Sequence, residues 1–110
     1  MTYDLVFDDI SSKLITFTGK GGERDYIVDL TGKLKSAEIL TTVEVISLDV
    51  TVLVVSTVSI GADGKSVNFH VEIVPGTLVR MAEIDIPFLG NGNTSDTYNV
   101  LQPIKKVLRT

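Results

Sequence analysis

The sequence predicts an all-β domain built from two packed sheets. Apolar and polar side chains alternate in several segments, turn-forming residues recur about every ten positions, and no window shows helical periodicity. The core must rest on Val, Ile and Leu, because the 110 residues include only 4 Phe, 3 Tyr and no Trp. Val and Ile are β-branched, and such side chains fit the pleated surface of a sheet.

The clearest alternation lies in two neighbouring segments, 66–73 and 80–88. In the first, Val67 and Phe69 fall on one face and polar residues on the other. In the second, the face opposite the apolar one carries Met81, Glu83 and Asp85. Pro-Gly at 75–76 favours a type II turn between the two segments. We therefore predict that they form a β-hairpin.

Residues 50–60 form a strand with apolar groups on both faces. Asp63-Gly64 is a tight-turn dipeptide, and it predicts a hairpin between this strand and 66–73. Three interpretations stay open for the doubly apolar strand. It is a central strand covered on both sides, it changes face at a bulge, or its second face contacts another protein.

The remaining strands complete the predicted architecture. Pro103 cannot donate to a ladder, which predicts that it lies at a sheet edge or at a bulge. The total is about seven strands, which is typical of an immunoglobulin-like two-sheet β-sandwich. We predict one domain over 1–110, with 1–24 as an extra strand or an N-terminal arm. The other predicted strands are 13–18, 25–30, 39–47 and 96–107.

Composition argues against several functions. The formal net charge of −4 disfavours binding to nucleic acid or to an anionic membrane surface. The chain has no Cys, and His70 is its single histidine, so we expect no metal site, no cofactor and no catalytic residues. Gly64-Lys65-Ser66 lacks the spacing and the following helix of a phosphate-binding loop. We therefore expect a protein that is not an enzyme.

Two acidic residues, Glu83 and Asp85, share one strand face. They could face a basic partner, although charged side chains on a strand are most often simply solvated.

Two segments carry a family resemblance: Asp25-Tyr-Ile-Val-Asp-Leu-Thr-Gly-Lys-Leu34, and Gly90-Asn-Gly-Asn-Thr-Ser-Asp-Thr-Tyr-Asn-Val100 before a basic and apolar end. This layout resembles small immunoglobulin-like virion proteins of tailed bacteriophages, namely fiber–tail adaptors, neck proteins and capsid decoration proteins. The resemblance implies a virion structural protein that is assembled in the bacterial host cytoplasm. Its implied partners are capsid, neck or tail proteins and further copies of itself.

Apolar strand residues are the expected contact sites for such partners, in the doubly apolar strand and in the last strand. An alternative is a carbohydrate-binding or adhesive module that recognises a host-surface glycan through Tyr3, Tyr26 or Tyr98. The predicted protein-contact residues are Val52, Leu53, Val55, Val100, Leu101, Ile104 and Val107.

Overall fold

A computed structural model of the chain describes residues 2–8, 14–19, 22–76 and 81–109. These ranges form nine β-strands in two antiparallel sheets, with a short 3₁₀ turn at Thr31–Lys33. The strands are β1 (Thr2–Phe7), β2 (Ile15–Thr18), β3 (Glu23–Asp29), β4 (Leu40–Val43), β5 (Ile46–Ser47), β6 (Leu53–Ile60), β7 (Ser66–Ile73), β8 (Met81–Gly90) and β9 (Ser95–Arg109).

The all-β class is confirmed, and two sheets around one shared core are consistent with a β-sandwich. The number of strands exceeds the seven or so that the sequence predicts, and there are two reasons for the difference. Residues 2–7 form β1, and the segment predicted as one strand over 39–47 is divided into β4 and β5. The first sheet has the order β1-β9-β8-β4, with β5 also on β8, and the second has the order β2-β3-β7-β6.

The strand β9 is shared between two neighbours. Its first part pairs with β8 as far as Pro103, opposite Met81, and its second part pairs with β1 from Ile104 onward. Pro103 therefore stands in a strand with neighbours on both sides, not at the predicted edge or bulge. It lies where the pairing changes partner, and its carbonyl accepts the N–H of Asp8 at 2.9 Å.

One predicted hairpin is confirmed and the other is wrong. β6 and β7 pair through the Asp63-Gly64 turn, where Gly64 has a φ of +72°. β7 and β8 lie in different sheets, although Gly76 has the positive φ, +84°, that the Pro-Gly turn requires. Both strands have one apolar and one polar face, and that pattern does not say which neighbour a strand chooses.

The doubly apolar segment is explained by a bulge. Among the described strands β6 pairs only with β7, so it is not a central strand. Val52 and Leu53 enter the core, and the register then shifts between Ser56 and Ser59, where Thr57 has a φ of +56°. A bulge turns the following residues to another face, which leaves apolar side chains of the second half exposed.

A buried polar joint connects the two sheets beside the end of β1. The hydroxyl of Tyr26 on β3 donates to Oε1 of Gln102 on β9, and Nε2 of Gln102 donates to the carbonyls of Asp8 at 2.8 Å and Pro103 at 2.7 Å. The guanidinium of Arg24 donates to the carbonyl of Phe7 at 3.2 Å. These bonds hold the chain just after β1 against both sheets.

A buried carboxylate fastens the turn between β8 and β9. Glu38 is only 3% exposed and accepts the backbone N–H groups of Lys35 at 2.8 Å and of Thr94 at 3.0 Å. The hydroxyl of Thr94 donates to it as well. Led by the Thr94 hydroxyl, these donors lower the pKa of Glu38 from 4.5 to about 2, because they favour its charged form.

Replacing Tyr26 with Phe tests the polar joint. The substitution removes the hydroxyl that binds Gln102 and leaves a buried amide oxygen without that donor. We expect a loss of about 1–3 kcal/mol in the free energy of unfolding, measured by urea denaturation. The control Ser56→Ala, at an exposed position, should change this free energy by less than about 0.5 kcal/mol. Equal stabilities of the two variants would contradict a structural role for the joint.

Glu38 gives the fold an acid-sensitive contact. Because its pKa is lowered on folding, its contribution to stability is complete above pH 4.5 and is lost as the pH falls towards about 2. The stability difference between wild type and Glu38→Gln should therefore shrink over this range in urea titrations. A Glu44→Gln variant, which changes an exposed carboxylate, should track the wild type. A constant difference between wild type and Glu38→Gln from pH 7 to pH 2 would count against the contact.

Candidate interaction surface

The structure divides the predicted contact residues between core and surface. Leu101 and Val107 are exposed, by 51% and 43%. The other five take part in the core, since each lies on the inward side of its strand or at the start of β6. These are Val52, Leu53, Val100 and Ile104, which are buried, and Val55, which is partly buried against them.

The outward side of the first sheet has an apolar face, defined here as Ile46, Leu48, Met81 and Leu101. Each of these side chains is between 41% and 51% exposed. The backbone N–H of Leu48 donates to the carbonyl of Glu83 at 3.0 Å, Glu83 lies opposite Leu101, and Met81 precedes Glu83 by two residues. Three of these residues lie on the neighbouring strands β5, β8 and β9, Leu48 directly follows β5, and the four side chains surround one carboxylate, Glu83.

Charges flank the apolar face at its two ends along β9. Towards the β8–β9 turn, Asp85 lies opposite Asn99 and accepts its side-chain N–H at 2.8 Å. Beyond Pro103, in the other direction, Lys105 points outward, with its Nζ 3.5 Å from Oδ1 of Asp8. The face therefore has a carboxylate at one end and an ion-paired lysine at the other.

Three of the four apolar-face residues were missed by the contact-residue prediction. Met81 has a visible signal, because it is an apolar residue on the polar side of an alternating strand. Ile46 and Leu48 have no such signal in the sequence. They point outward because the predicted strand is interrupted between β4 and β5.

The outward side of the second sheet carries a charged cluster around His70. Its Nδ1 lies 2.8 Å from Asp25, and its Nε2 lies 3.2 Å from Glu72 and 3.4 Å from Glu23. The hydrogen bond to Asp25 is the largest cause that raises the pKa of His70 above its ordinary 6.5, and Glu72 adds to it. Burial of the ring opposes this shift but does not cancel it.

The cluster favours the protonated form of His70. It also brings together atoms of the kind that bind metal ions. One atom each from Glu23, His70 and Glu72 lies within 4.8 Å of the others. The three carboxylates are more than half exposed, and such groups commonly hold no ion, so the arrangement carries no metal assignment. A shallow groove of about 320 Å³ lies beside the cluster, lined by residues that include Thr16, Ile27 and Asn68.

Of the tyrosines considered for glycan binding, the two whose side chains the structure describes do not form an exposed platform. Tyr26 is 1% exposed and belongs to the core and the polar joint. Tyr98 is partly buried against the core, with Nζ of Lys33 5.9 Å from its ring centre. The side chain of Tyr3 lies outside the described part of the structure.

The single histidine allows a direct test of the charged cluster. We expect the Asp25→Asn variant to lower the pKa of His70 towards 6.5 in an NMR titration, because it removes the main partner of the protonated ring. The stabilising effect of the raised pKa is present below pH 6.5 and is lost as the pH rises through the folded value. An Asp85→Asn control, on the other sheet, should leave the titration unchanged. An unchanged titration in Asp25→Asn would refute the assigned partner.

Comparisons with protein-family models, with curated proteins and with solved structures gave no match to this chain. Within the described residues, no helix has the length and apolar character to cross a membrane.

Proposed function

We propose that this chain is a non-enzymatic structural protein that acts by protein–protein contact. The apolar face supports this proposal most directly. A solvated face of an antiparallel sheet normally carries polar side chains, and soluble monomers rarely expose large contiguous apolar patches. Ile46, Leu48, Met81 and Leu101 depart from that pattern together, on adjacent strands.

Contact through this face is better supported than pairing of strand edges. Edge strands resist pairing when they are short or bulged. β2 and β4 have four residues each, and β6 contains the bulge between Ser56 and Ser59. These three edges therefore offer little uninterrupted backbone to a partner. The edge strand β1 differs from them, since its six residues are in unbroken register with β9. The apolar face is favoured over these edges because it offers side chains that water solvates poorly.

The proposed setting is the virion of a tailed bacteriophage, as the sequence resemblance implies. There the chain would be an immunoglobulin-like fiber–tail adaptor, neck or capsid decoration protein that contacts capsid, neck or tail proteins. The molecule is elongated, which leaves a long sheet face open to such contacts. The molecule measures 53 × 21 × 21 Å, and its radius of gyration of 15.0 Å exceeds the roughly 13 Å of a compact chain of this length.

Mass spectrometry of purified phage particles tests the proposal. Peptides of this chain are expected in particles from cells that carry its gene, and a Met81→Gln/Leu101→Ser double variant should be depleted from them. Its fold should survive, because both positions are exposed. The matched control is Ile27→Ser, which changes an apolar residue of similar exposure (48%) on the other sheet.

Two outcomes would reject this function. Particles that lack the wild-type chain would reject the virion role. Incorporation of the double variant at the wild-type level would reject the apolar face as the contact site. Specific binding on a glycan array that Tyr98→Ala abolishes would favour the adhesive alternative.

A further inference from the structure

We propose that the apolar face binds the same face of a second copy of this chain, in a two-fold dimer with the β9 strands antiparallel. The two-fold axis would lie in the interface, across the strands, between Leu101 and Pro103. The inference rests on the proposed function, because it assigns a partner to the surface that the function uses.

The first sheet leaves room for a contact wider than the four apolar side chains. One long side of a molecule of 53 × 21 × 21 Å measures roughly 1,100 Å², so a contact that extends beyond the apolar face can reach the about 800 Å² per partner of a standard interface. Two sheets pack well face to face when their strands lie within about 30° of each other. In the proposed arrangement Leu101 of one copy lies over Pro103 of the other, and Met81 of one copy lies over Glu83 of the other, so apolar side chains surround one carboxylate from each copy.

The charges select a second copy as the partner. Rotation about this axis reverses the direction of β9 and brings residue 105 of one copy over residue 99 of the other. Lys105 would then lie above Asn99 and beside Asp85, which accepts a hydrogen bond from Asn99. Because the relation is two-fold, the opposite-charge contact occurs twice, once at each end of the interface.

The charges also select the orientation. A two-fold axis parallel to the strands would leave each residue at the same position along the strand direction in both copies. Lys105 of one copy would then lie near Lys105 of the other. Like charges placed together at an interface disfavour that arrangement. The axis across the strands is therefore the one that the charge pattern supports.

The contacts that Lys105 and Asp85 make within one chain do not prevent this pairing. The ion pair between Lys105 and Asp8 is 3.5 Å long, and its side chains are 53% and 50% exposed. Exposed pairs of this kind are worth little, so Lys105 can turn to a second carboxylate. Asp85 has one hydrogen bond to Asn99 and keeps acceptor capacity for a lysine.

Sedimentation equilibrium with a charge swap tests the dimer. The wild type should form a concentration-dependent dimer, and Lys105→Glu and Asp85→Lys should each raise its dissociation constant about tenfold or more. The Asp85→Lys/Lys105→Glu double variant should return to within about threefold of the wild type, because the two charges are exchanged rather than lost. The control Lys33→Glu changes an exposed lysine at the 3₁₀ turn and should leave the constant unaltered.

The outcomes separate this inference from the proposed function. A wild type that stays monomeric up to about millimolar concentration, or a double variant no better than the single ones, would overturn the dimer. If Met81→Gln/Leu101→Ser is then still depleted from particles, the structural function stands and the face binds another virion protein. If the dimer forms and rescue succeeds but particles lack the chain, the dimer stands and the virion function fails. Circular dichroism of each variant shows whether it is folded.

Discussion

The three hydrogen bonds of Gln102 fix the register on which the surface of this molecule depends. A buried amide is costly without partners, and this one binds Tyr26 on the opposite sheet and the carbonyls of Asp8 and Pro103. Side chains alternate along a strand, so a slip of one residue would expose Gln102 and turn Leu101 into the core. The polar joint therefore keeps the core intact and at the same time keeps Leu101 on the apolar face.

The faces of individual strands could be predicted from the sequence, because alternation is a local property. Val67, Phe69, Ile84 and Ile86 are buried as the pattern indicates. Strand pairing could not be predicted in the same way. The Pro-Gly turn at 75–76 has its expected geometry, and yet β7 and β8 lie in different sheets. The partner of a strand depends on which distant segment completes the core, and alternation carries no information about that.

The same limit applies to the candidate sites. His70 was correctly placed on a polar strand face, but three carboxylates surround it only because β3 pairs with β7 and sets Asp25 opposite His70 and Glu23 opposite Glu72. Likewise, the sequence predicts partner contacts for apolar residues of two strongly apolar strands, and most of these residues lie in the core. An apolar residue on a polar face, such as Met81, is a better indication of a contact than a strongly apolar segment.

Glu83 limits how tightly the apolar face can bind. It lies between Leu48 and Leu101, and a carboxylate that loses its water without gaining a partner opposes association. The side-chain N–H of Asn99 donates to Glu83 over a long distance, 3.4 Å, so this partner is a weak one. A charge among apolar side chains also disfavours adhesion to unrelated apolar surfaces. The face therefore combines apolar area, which provides affinity, with a central charge that keeps the affinity modest. In such a contact, the pattern of surrounding charges decides which partner is accepted and in which orientation.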